Sequence, residues 1–267
     1  MIKWCTMLPF RAFLYVLPST GRGSSGRMVR RMLVVLTITL VFLCSFARAE
    51  EVDLELVLLA DASGSISEDE IQFQRQGYAD AITDPRVLSA IAGTLYGSIA
   101  VTYVEWASNT EVVVDWTKID GAESAGRLAQ SLRNRPRMAY GRNAIGTALL
   151  SGKQLIENNQ FVGWRRIIDF SGDSPNSYSG PSIAEARQAV INAGITINGL
   201  PILCRFCDTP LRYANLAEIY ERQIIGGPGA FVVTAKSEDD LANAIRRKLI
   251  LEIAGQHPAR SFAQNDR

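Results

Sequence analysis

Leu54-Glu55-Leu56-Val57-Leu58-Leu59-Ala60-Asp61-Ala62-Ser63-Gly64-Ser65 runs an apolar strand straight into an Asp-x-Ser-x-Ser loop. The nearly continuous apolar content from Asp53 to Ala60 predicts a strand covered on both faces, as in a parallel sheet between two helical layers. In the loop, alternation sends Asp61, Ser63 and Ser65 to one side, and Gly64 permits the tight backbone path on which they converge. Such oxygens suit a hard divalent cation: magnesium takes about six oxygen donors in near-octahedral geometry and keeps some of its waters. Asp, Ser and Gly are also ordinary turn and cap residues. The stretch therefore reads either as a cation loop or as a plain strand-to-helix turn.

From Val52 to about Ile253, apolar runs alternate with amphipathic stretches, which predicts an α/β domain with a mostly parallel sheet. After the loop, Ser67 caps a helix that carries acids in its first turn and reaches about Ile82. Strands are expected over Gly97–Trp106 and Thr110–Trp116; the link Ala107-Ser108-Asn109 is so short that they must form an antiparallel hairpin. Helices over Ala122–Leu132 and Ala144–Glu157 flank a loop containing Arg133, Arg135, Pro136 and Arg137. That cluster reads as a solvated loop or as a docking patch for an acidic partner. A strand over Arg165–Phe170, a helix over Pro181–Asn192, a strand over Ile195–Leu200, a helix over Leu211–Gln223, a strand over Ala230–Thr234 and a helix over Glu238–Ile253 complete the domain. The expected architecture is an open, doubly wound, mostly parallel sheet with one antiparallel edge strand and helices on both faces. Residues 50–254 form this domain and 255–267 a disordered tail.

The start of the chain has a different character. Met28-Val29-Arg30-Arg31, the apolar run Leu33–Cys44 and Ala47-Arg48-Ala49 have the three parts of a secretory signal peptide over 28–49. The run is shorter than the about 20 residues of a membrane-spanning helix. Residues 1–27 then read as an upstream extension from a mis-assigned start, or as part of an unusually long leader. The whole chain has 28 basic and 27 acidic residues, of which residues 1–49 hold seven basic and no acidic ones. Cleavage leaves 21 basic against 27 acidic side chains, a balance that argues against nucleic acid and anionic membrane as partners. It also leaves two cysteines, Cys204 and Cys207, an even pair suited to an oxidising compartment, periplasmic or extracellular.

Ligands of open α/β sheets bind beyond the carboxyl ends of the strands, so a site must draw on loops distant in sequence. Asp169-Phe170-Ser171-Gly172-Asp173-Ser174 places Asp173 at the end of an apolar strand, where it can supply a second carboxylate. Tyr140-Gly141-Arg142-Asn143-Ala144 places Asn143 before a helix, as a side-chain oxygen donor or as a simple cap. Arg142 beside it either repels a metal or attracts an acidic ligand. Glu105, an acid in an apolar strand, is costly if buried unpaired; it reads as a supporting group near the site, or as the partner of Arg142 or Arg165. Trp106, Trp116 and Trp164 read as core or rim packing.

These loops, in this order, resemble the von Willebrand factor type A fold, with its Asp-x-Ser-x-Ser, Thr and Asp elements; Asp61, Ser63, Ser65 and Asp173 match. Tyr103-Val104-Glu105-Trp106 and Ile197-Asn198-Gly199-Leu200-Pro201 are similar to phrases of an uncharacterised group of exported bacterial proteins of this type. The resemblance implies a metal-ion-dependent adhesion-type site for Mg2+, or Mn2+ or Ca2+ in its place, with one position open for a carboxylate from a protein or peptide partner. Two positions depart from the pattern: Asn143 stands for the Thr, and Ser174 for the Gly after the second Asp. Thr147, one helical turn further on, reads as packing.

Other chemistries are less well supported. Cys204-Arg205-Phe206-Cys207 is either a thiol-disulfide motif or a disulfide that pins its loop. The single histidine, His257, lies in the tail, so a Ser-His-Asp triad has no base within the domain. No Gly-x-Ser-x-Gly elbow, phosphate loop or dinucleotide fingerprint opens a helix. A site too degenerate to hold an ion is the remaining alternative.

Overall fold

The computed structural model describes residues 49–203, 215–235 and 238–255. Its elements are β1 (Glu50–Asp61), α1 (Glu68–Thr83), α2 (Pro85–Ala92), β2 (Ile99–Trp106), β3 (Thr110–Ile119), α3 (Ala122–Arg133) and α4 (Ile145–Glu157). There follow β4 (Phe161–Gly172), α5 (Ile183–Asn192), β5 (Thr196–Pro201), the short α6 (Leu216–Ile219) continued by a π-turn (Tyr220–Ile224), and α7 (Glu238–Ala254). The strands form one sheet in the order β3-β2-β1-β4-β5. All neighbours run parallel except the β2–β3 hairpin, which puts one antiparallel strand at the edge.

Strand β1 is the centre of the sheet, and its period of two divides the core. Leu54, Leu56 and Leu58 face the layer that contains Tyr78 and Ile82 of α1, Leu128 and Leu132 of α3, and Leu249 of α7. Val57 and Leu59 face the opposite layer, with Leu149 of α4, Val190 of α5 and Ile224. Each such side chain, fully buried, contributes roughly 1.5–3 kcal/mol. A one-residue slip of β1 would exchange the two faces and bring Glu55 among the first layer's leucines, so register is strongly specified. Glu55 tolerates burial because Gly163 N–H and Asn159 Nδ2 donate to its carboxylate at 2.7 and 2.6 Å.

Helix α1 begins as expected, with reciprocal Ser67 and Glu70 hydrogen bonds in a capping box. Several sequence expectations require correction. Helix α2 was not anticipated, although Asp84 caps it and Pro85 occupies its first turn. Strand β4 starts at Phe161 rather than Arg165 because Glu50–Val52 extend β1 backwards and pair with Phe161–Gly163. The expected strand at Ala230–Thr234 is reduced to isolated bridges, Val232 with Gly199 and Ala235 with Ile202. The expected helix over Leu211–Gln223 is helical from Leu216, and its beginning lies outside the described residues. The leader, Cys204, Cys207 and the tail after Gly255 also lie outside them. No helix among the described residues is long and apolar enough to cross a membrane.

Candidate metal centre

The carboxyl ends of β1 and β4 lie side by side, and their loops meet above the sheet. Ser63 N–H donates to Asp61 Oδ1 at 2.8 Å, the hydroxyls of Ser63 and Ser65 are 3.0 Å apart, and Ser65 Oγ donates to Asp173 Oδ1 at 3.1 Å. Four of the five expected donors are thus joined in one chain of contacts. Asp61 and Ser63 are fully buried, Asp173 is largely so, and Ser65 is half-exposed, which leaves the cluster open on one side.

Asn143 comes from a third loop. Gly64 N–H donates to Gly141 carbonyl at 2.7 Å, which sets the two loops against each other. A Cβ on Gly64 would be in ordinary van der Waals contact with that oxygen, at 3.4 Å. Asn143 is not the helix cap: Ala144 holds the N-cap position without a side-chain bond, and Ser177 Oγ accepts from Ile145 N–H at 3.1 Å. The Asn143 carboxamide is buried, its Nδ2 has no hydrogen-bond partner among the described residues, and its backbone carbonyl accepts from Tyr178 N–H. Thr147 packs against Gly180, where a Cβ would approach its hydroxyl to 2.1 Å.

The supporting residues differ from expectation. Glu105 pairs with neither Arg142 nor Arg165 and does not contact the four joined donors. Arg75 Nε donates to its Oε1 at 2.9 Å in a fully buried ion pair, and Met138 N–H donates to its Oε2 at 2.7 Å. Arg75 also donates to the carbonyls of Arg135 and Pro136. Arg137, read from sequence as part of a solvated or docking cluster, instead donates to the carbonyls of Ala62, Ser63 and Ile66. Its guanidinium therefore adds donors to the Ala62 and Ile66 carbonyls and a second one to the Ser63 carbonyl, which also accepts from Ile66 N–H. Arg142 is exposed, with its guanidinium 3.9 Å from the centre of the Tyr178 ring. Sequence reasoning missed Arg75 and Gln74, whose Nε2 donates to Asp61 carbonyl at 3.3 Å. Their only signal was two polar residues on the buried face of α1.

Burial pushes the Asp61 carboxyl up to about 7 from 3.8, and the charge of Asp173 adds to the shift. The Ser63 N–H and hydroxyl and the Asp173 N–H oppose it. Asp61 Oδ2 has no hydrogen-bond partner among the described residues. Two neighbouring carboxylates, one of them with its proton affinity raised by the other, two adjoining hydroxyls and a buried carboxylate oxygen without a partner among the described residues make a hard-oxygen donor set, the chemistry of Mg2+, Mn2+ or Ca2+ rather than of a soft thiolate-seeking metal. Among the described residues no three His, Cys, Asp or Glu side chains cluster around a point, so a cation here would depend on hydroxyl and amide oxygens as well.

The strand order and the placement of the loops are those of the von Willebrand factor type A fold. The vWF domain of the type V pili tip protein Mfa5 from Porphyromonas gingivalis matches with a TM-score of 0.52 at 10% identity, over 78% of this chain and 97% of that one. The pilus adhesin SpaC from Lactobacillus rhamnosus GG matches at 0.53 and 13%, over 76% and 31%. Proximal thread matrix protein 1 from the mussel byssus, with a zinc-occupied MIDAS motif, matches at 0.53 and 14%, over 76% and 46%. This chain thus spans under half the length of the latter two. No curated protein matches in sequence. Residues 51–257 match the model of the family described as "Protein of unknown function (DUF1194)", and the chain belongs to that family.

Proposed function

We propose that the domain is an exported, non-enzymatic binding module that recognises a carboxylate of a protein or peptide partner through a divalent cation. Asp61, Ser63, Ser65, Asn143 and Asp173 would hold the ion, Mg2+ or in its place Mn2+ or Ca2+. The ion would supply charge compensation for the two aspartates and an open position for the partner's oxygen. The observation that carries this reading is the chain of contacts from Asp61 through Ser63 and Ser65 to Asp173, which starts at a carboxylate whose buried Oδ2 has no donor among the described residues. A plain turn does not need a second carboxylate brought to it by a loop that meets Ser65 from 108 residues away. The adhesins and the zinc-occupied byssal protein that share the fold agree with an adhesive role. In this reading Cys204 and Cys207 form a structural disulfide.

Titration calorimetry with magnesium and manganese tests the ion. Wild-type protein takes up one equivalent and D61A none; absence of binding heat in the wild type refutes the proposal and leaves a degenerate site. A pull-down from the exported fraction, with and without chelator, tests the partner, which is expected to be lost on chelation.

A further inference from the structure

We propose that Tyr220 is a positioning residue of the cation site, with its hydroxyl holding Asp61 Oδ2 when an ion is bound. The inference rests on the reading of Asp61 as an ion ligand and adds a residue from an element far from the three loops. Its starting point is Gly172, the last residue of β4. A Cβ there would stand 2.9 Å from Asp61 Oδ2, 3.0 Å from Tyr220 Oη and 3.1 Å from Trp106 Cζ2. The carboxylate oxygen and the phenol oxygen therefore border the same small space above Gly172. Both are buried, and neither has a hydrogen-bond partner among the described residues.

A buried hydroxyl without a partner is disfavoured, and phenylalanine would fill the same ring space without it. The ring is held on its other sides. It lies against Phe170 with centroids 5.9 Å apart, and its Cδ1 stands 2.9 Å from where a Cβ on Gly199 would be. Phe170 in turn stacks on Trp106 at 4.9 Å. The hydroxyl thus has one direction, toward Asp61. Backbone geometry contributes as well: Ile225 N–H donates to Tyr220 carbonyl, closing a five-residue turn. Such π-turns add a residue to a helix and recur where a side chain must be re-aimed. A phenol is a donor and a carboxylate an acceptor, so the two orphaned atoms are complementary. A rotation of the Asp61 carboxylate that closed this hydrogen bond would fix the orientation of its other oxygen toward the loop.

The two roles open to Tyr220, packing alone or positioning, differ in sign. Removing an unbonded buried hydroxyl costs a protein nothing, whereas removing the donor to a metal ligand weakens ion binding. Y220F of the full chain is therefore expected to unfold in chelator at the same temperature as wild type or higher. Its affinity for Mn2+, measured by calorimetry, is expected to fall about five- to tenfold, and its rise in unfolding temperature at a fixed manganese concentration to shrink. If wild type binds manganese and Y220F binds it within twofold as tightly, this inference is overturned while the cation site stands. If Y220F is destabilised as much in chelator as in manganese, the hydroxyl is a packing element and the inference is again overturned. If wild type binds no manganese, the cation site and this inference fall together.

Discussion

D61N separates the cost of the site from its use. Folded Asp61 keeps its proton up to about pH 7, whereas the unfolded chain releases it near 3.8. Between those values the folded state holds more protons, so ion-free stability falls as pH rises, and the full penalty is present above pH 7. The difference in proton affinity corresponds to about 4 kcal/mol, at about 1.4 kcal/mol per tenfold step. D61N keeps the shape of the neutral acid and cannot ionise. At pH 8 in chelator it is expected to be more stable than wild type by up to about 4 kcal/mol, and below pH 4 the two should coincide. With a urea slope of roughly 2–3 kcal/mol/M, the midpoint difference at pH 8 is about 1.5 M. Saturating magnesium at about a hundred times its dissociation constant restores about 2.7 kcal/mol to wild type and nothing to D61N. Other titrating groups are common to both proteins, so the difference reports Asp61 together with its coupling to Asp173. Urea titrations from pH 4 to 8 with coincident midpoints throughout would refute the claim that this carboxylate is held at a cost.

Three further outcomes follow from buried charge and close backbone contact. R75M leaves Glu105 buried and unpaired and frees the 135–138 loop, and it should lose about 3–5 kcal/mol in denaturant unfolding at pH 7; R75M combined with E105L should recover most of that loss. K248M removes the cation that lies 2.7 Å from Asp169 Oδ2 and beside Glu252, all three fully buried. Burial already raises both acids, Glu252 to about 7, so the loss of about 3–5 kcal/mol at pH 8 should shrink as pH falls to 5 and the acids take up protons. G172A would press a methyl group on Asp61 Oδ2; manganese affinity measured by calorimetry should fall at least tenfold, whereas G121A, in open space, leaves it unchanged.

Much of the layout was legible because it is written in local pattern. The β1 run reads as a doubly covered strand because nearly every side chain from Val52 to Ala60 is buried. Three residues between β2 and β3 allow only a hairpin. Ser67 and Glu70 announce a helix start. Where the local signal was weaker than its competitors, the reading failed. The stretch around Val232 has strand composition, yet only isolated bridges hold it beside β5. Arg137 looked solvated because arginine usually is; the carbonyls of Ala62 and Ser63 that claim it are 74–75 residues away.

The sequence alone determined the sheet's parallel character, the chain order of the three loops and the identities of Asp61, Ser63, Ser65 and Asp173, since each depends on periodicity or on the end of an apolar run. Only the tertiary structure decided what surrounds them. Arg75 meets Glu105, Gln74 meets the Asp61 carbonyl, and Tyr220 comes to lie over Gly172, through the packing of helices on the two faces of the sheet. Such contacts depend on the distance between elements far apart in the chain, and no local pattern encodes that distance.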